Sequence, residues 1–78
     1  MVYCELKSKE DNILRYSVGS IISDVTGEIM INTQDMGFEI TKQPDKSEVY
    51  PLYIGKLLRK YLSELEKGNA PKKMSYDN

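Results

Sequence analysis

Histidine and tryptophan are absent from this 78-residue chain, and there is a single cysteine. Each lack excludes something. Without histidine there is no side chain that titrates near neutrality unaided, and the commonest metal ligand is missing. A Ser-His or Cys-His nucleophile is excluded outright. A zinc site would have to be built almost entirely from carboxylates, against the nitrogen and sulfur donors that zinc prefers. Cys4 closes no internal disulfide, a usage that fits a reducing compartment. The glycines of Val18-Gly19-Ser20 and Thr26-Gly27-Glu28 lack the spacing and the closing Lys-Ser/Thr of a phosphate loop. The expectation is a protein that is not an enzyme and has no cofactor and no metal.

An excess of one charge is also lacking. Eleven basic residues face twelve acidic ones, for a net charge of -1. That is neither the basic footprint of a nucleic-acid binder nor an acidic mimic of one. No apolar run approaches the ~20 residues that span a bilayer. Met1-Val2-Tyr3-Cys4-Glu5 has no basic segment leading into an apolar one, so no secretory signal is expected. A cytoplasmic protein without membrane contact is the reading. Richness in Lys, Ile, Asn and Tyr is of the kind found in AT-rich bacterial or phage genes.

What is present is alternation followed by a helical stripe. In residues 2–7, Val2, Cys4 and Leu6 fall on one face and Tyr3, Glu5 and Lys7 on the other, the period of a half-buried strand. Residues 8–12 are a polar turn, and Ile13 to Val18 alternates again to make a hairpin. Residues 19–25 are ambiguous between strand, bulge and helix. Gly19, the β-branched residues and the serines favour extended structure there, with a bulge or bend at Gly19-Ser20. Asp24-Val25-Thr26-Gly27 signals a turn. Glu28 to Asn32 and Phe38 to Thr41 are two more strands around a polar turn.

The last third is the best punctuated. Pro51 suits a first helical turn. Leu52, Ile54, Leu57, Leu58, Tyr61, Leu62 and Leu65 recur at three- and four-residue steps. Gly68, Asn69 and Pro71 stop the run. Gly55 falls on the inward stripe, where it suits close approach of helix to sheet. The predicted fold is α+β: a four-stranded antiparallel meander (ββββα) packed by one C-terminal amphipathic helix. It occupies residues 1–71 as a single domain, with 72–78 a flexible polar tail. At this length roughly 60–65% of the chain's surface is buried on folding, so stability should be modest.

Four strands followed by a helix is similar in order to small single-strand nucleic-acid-binding domains of the Whirly kind. The similarity implies a dimer with a basic, aromatic sheet. Here the strands carry Lys7 and Arg15, but also Glu5, Glu28 and Glu39.

The candidate partner-binding residues lie on the helix. Lys56, Arg59 and Lys60 form a small basic patch, and Tyr53 sits off the main stripe beside Lys56 and Lys60, as an interface tyrosine would. Cys4 reads as a small core residue, with no cationic neighbour to activate it. The turn carboxylates Glu10, Asp11, Asp24 and Glu28 read as solvated. One helix covers one sheet face, and a second apolar face would need a partner. The expected function is therefore a small non-enzymatic protein-interaction module, self-associating as a homodimer or binding a protein partner. The alternative is a single-stranded nucleic-acid-binding module using the sheet and the basic patch.

Overall fold

A computed structural model describes residues 1–77 as an α+β fold, with a five-stranded antiparallel sheet and short helices. The strands are β1 (Val2–Glu10), β2 (Ile13–Gly19), β3 (Gly27–Asn32), β4 (Gly37–Lys42) and β5 (Lys73–Tyr76), in the spatial order β4-β3-β2-β1-β5. The first four form the predicted meander. Asp11 takes a left-handed φ of 53° and lets a two-residue turn close the β1–β2 hairpin between Glu10 and Ile13.

Pairing register decides which face is apolar. Cys4 opposes Val18, Leu6 opposes Tyr16, Tyr16 opposes Ile29, and Leu14 opposes Ile31. These residues share one face and, with the half-buried Leu6, form the core with Val49, Ile54, Leu57, Leu58 and Leu65. Burying each large apolar side chain contributes about 1.5–3 kcal/mol. The opposite face is polar at its centre. Lys7 Nζ lies 2.9 Å from Glu28 Oε1, and Thr41 Oγ1 donates to Glu28 Oε2 at 2.8 Å. Arg15 Nη1 stands 3.9 Å from the same carboxylate. The second apolar face expected from sequence is interrupted at its centre by these charged groups.

The fifth strand corrects the expected four-stranded sheet and the expected tail. Lys73–Tyr76 pairs antiparallel with β1, Val2 opposite Tyr76 and Cys4 opposite Met74. Met74 points inward and is buried. The chain is led there by Tyr16, whose fully buried ring donates its hydroxyl proton to the Pro71 carbonyl at 2.7 Å. The Leu6 N–H bonds the Lys72 carbonyl at 2.8 Å. Asn78, the end of that expected tail, lies outside the described residues.

The single expected helix is two. Helix α1 (Pro51–Lys60) begins with proline in its first turn, as its spacing predicts. Tyr61 leaves helical geometry (φ -105°, ψ 11°), and α2 (Leu62–Glu66) follows. The break falls at the residue whose hydroxyl is tied to β5. Ser75 N–H donates to Tyr61 Oη at 3.2 Å, and Tyr61 Oη donates to the Ser75 carbonyl at 3.4 Å. Gly68, at φ 85°, ends the helical run as expected.

Residues 20–26 form an irregular loop, neither the strand favoured from sequence nor a helix. The loop folds back so closely that a Cβ on Gly19 would collide with the Asp24 carbonyl, so glycine is required there. Asp24 anchors the loop. Its buried carboxylate accepts from Thr26 Oγ1 and from the Lys46 N–H, both at 2.9 Å. The two sheet edges differ. The middle of β5 is capped by α1, whereas no side chain among the described residues bonds the main chain of residues 38–42 in β4.

Candidate functional site

Two surfaces stand out, one anticipated from sequence and one not. The anticipated surface is the solvent side of α1. Lys56, Arg59 and Lys60 are exposed and, at spacings of three and four, share one helix face. With Tyr76 of β5 they line a shallow depression of about 350 Å³. Tyr53 stands beside it, with the Lys56 ammonium 5.7 Å from its ring centre. The structure thus brings Lys56, Arg59 and Lys60 together, places Tyr53 at their margin, and adds Tyr76, which sequence reasoning had assigned to the tail.

Lys60 is held in two ways. Its ammonium donates to the Ser75 carbonyl at 2.9 Å and lies 5.3 Å from the Tyr61 ring centre. Both partners are uncharged. Among the described residues, none of the three cations forms an ion pair, and no carboxylate lines the depression. Two cations of the sheet differ, since Lys7 and Arg15 both serve Glu28. Hydrogen bonds from Lys7 and Thr41 hold the Glu28 carboxyl below the ordinary carboxylate range.

The unanticipated surface is one end of the sheet. Met1 opens β1, Ile21 and Ile22 follow the end of β2, and Tyr50 and Leu52 sit at the start of α1. These are the five exposed large hydrophobic residues of the described chain. Ile22 is 74% exposed and Leu52 64%. Met1, Ser20, Tyr50 and Tyr53 line one shallow depression there. Tyr3, Ile22 and Val25 line another, of about 300 Å³, on the adjoining sheet surface.

Leu52 was expected on the inward stripe. Ile54, two residues on, is buried, and a two-residue step in a helix turns Leu52 to the opposite side, where it is exposed. Gly55 was expected to mark close approach to the sheet, but a Cβ built there meets nothing within 4 Å. Sequence carried a signal for the loop isoleucines only in hindsight. An apolar pair between Ser20 and Ser23, inside a segment with a turn residue at each end, has no strand to join.

The conventional chemical groups are shut away. Burial pushes the Cys4 thiol up to about 12. Burial, with a smaller contribution from Cys4, also pushes Tyr16 up to about 12. Among the described residues no three His, Cys, Asp or Glu side chains gather as metal ligands. No helix among them is long and apolar enough to cross a membrane.

Comparison of the chain with protein-family models, with curated proteins and with solved structures found no match in any of the three.

Proposed function

We propose that this chain is a small non-enzymatic protein-interaction module that self-associates through the apolar end of its sheet. The observation that carries the reading is the exposure of Met1, Ile21, Ile22, Tyr50 and Leu52, of which Met1 and Tyr50 line one depression with Ser20, and Ile22 lines a second with Tyr3 and Val25. Scattered exposed hydrophobic residues are ordinary, whereas a contiguous group usually marks an interface. The loop that presents two of them is pinned through Asp24 to Thr26 and Lys46, so little ordering entropy is lost on docking. A two-fold dimer presents the same patch from both partners and buries it twice. Polar groups at the centre of the outer sheet face direct association away from that face and toward the end.

The non-enzymatic reading is supported by the sealed state of Cys4 and Tyr16 and by the absence of histidine from the chain. Nucleic-acid binding across the sheet is disfavoured because Lys7 and Arg15 are engaged by Glu28.

Sedimentation velocity across micromolar concentrations tests the proposal. The expected result is a reversible monomer–dimer equilibrium that the Ile22→Lys, Leu52→Lys double variant shifts to monomer without loss of its folded spectrum. A parent protein that remains monomeric at the highest concentrations, or a double variant that dimerises as before, would overturn it.

A further inference from the structure

Beyond self-association, we propose that the depression between α1 and β5 is a second docking site, one that takes a carboxylate-rich segment of a protein partner. Three cations converge there, and the protein supplies no anion to any of them among its described residues. Lys60 is nevertheless fixed in place by the Ser75 carbonyl and the Tyr61 ring, and Lys56 lies over Tyr53. Neutral partners position an ammonium without cancelling its charge. The result is a pre-organised positive surface, which lowers the ordering cost of binding.

Arg59 sets the chemistry. Its guanidinium presents a planar fork suited to bidentate contact with a carboxylate, and it lies one helical turn from Lys56 and next to Lys60. Tyr76 lines the same depression and Tyr53 lies at its margin, offering apolar area beside the charges. A shallow volume of about 350 Å³ accommodates a few side chains of an extended peptide.

A nucleic-acid strand fits less well. Its affinity grows with the number of phosphates neutralised, and only these three cations face it. The chain as a whole carries a net charge of -1.

The test is an NMR titration of the isotopically labelled protein with a capped hexaglutamate peptide at low salt. The expected result is saturable shifts confined to the amides of residues 56–60 and 75–76. The Lys56→Gln, Arg59→Gln double variant should weaken binding at least about tenfold, the equivalent of losing one charge-assisted hydrogen bond. Both side chains are exposed, so its melting temperature should match the parent's. The Ile22→Lys, Leu52→Lys variant should retain the shifts, which separates this site from self-association. Three results would overturn the assignment. One is the absence of saturable shifts. Another is the same shifts produced by hexathymidylate at lower concentration, which would make the site one for nucleic acid. The third is sedimentation with phosphatidylserine vesicles that depends on Lys56 and Arg59, which would make it one for lipid.

Discussion

Tyr61 engages both main-chain polar groups of Ser75, accepting from its N–H at 3.2 Å and donating to its carbonyl at 3.4 Å. One phenol thereby joins the helical layer to the last strand. Tyr61→Phe keeps the ring and removes the bonds. It should lower stability by about 1 kcal/mol, with the part-buried Ser75 N–H left unpaired as the main cause. Hydrogen exchange at the Ser75 amide should accelerate more than at amides in the middle of β2. Equal acceleration throughout would show that the bond does not protect β5 specifically.

Met74 is the inward residue of β5 and lies opposite Cys4. Met74→Ala should cost about 2–5 kcal/mol by loss of transfer energy and creation of a cavity. That is a large share of the stability of so small a domain. Urea unfolding measures it. A midpoint within error of the parent's would mean that residues 73–76 behave as the polar tail expected from sequence.

Gly55 occupies the middle of α1 with open space where a Cβ would go. Gly55→Ala should therefore stabilise the protein by about 0.5–1 kcal/mol, through better helix propensity and a less flexible unfolded chain. A thermal melt should shift upward by several degrees. A downward shift would place an unseen obstacle against the helix.

The carboxyls of Glu28 and Asp24 both titrate below their ordinary values. For Glu28 the cause is hydrogen bonding from Lys7 and Thr41. For Asp24, burial by itself would raise the value, but hydrogen bonds, including those from the Lys46 N–H and Thr26, outweigh it. A depressed folded value means that the unfolded chain takes up these protons first as pH falls. The stabilisation is thus full above the unfolded values, about 4, and is lost as pH drops through the folded ones. Denaturant midpoints should hold steady from neutrality down to about pH 5 and fall below about pH 4. Glu28→Gln should flatten part of that fall. An unchanged acid limb in the variant would show that Glu28 contributes nothing to it.

Much of this architecture was legible because its signals are local. The strict alternation in Val2–Leu6 and Ile13–Val18 requires only that one face be buried. Pro51 and Gly68 mark helix ends through their own backbone preferences. What escaped were features set by distant partners. Lys73-Met74-Ser75-Tyr76 does alternate, but four residues after a proline are too short a run to distinguish from a tail. Its strand character comes from Tyr16 and Tyr61, each far away in sequence. The exposure of Leu52 follows from its two-residue offset from Ile54, which turns it away from the buried side of α1. Lys56, Arg59 and Lys60 could be grouped by helical spacing alone. The addition of Tyr76 to them needed β5.

The unequal edges of the sheet bear on how it could polymerise. Main-chain pairing beyond the protein's own strands requires a free border, and an unprotected border is a template for aggregation. Here the helix occupies the middle of the β5 border with Lys60 and Tyr61. A neighbour that adds to the β4 border offers either its own β5 border, which is already occupied, or its own β4 border. In the second arrangement both open borders are consumed, and growth terminates at two copies. A fibril, which needs two usable borders on every copy, is denied its second one by a single lysine and a single tyrosine.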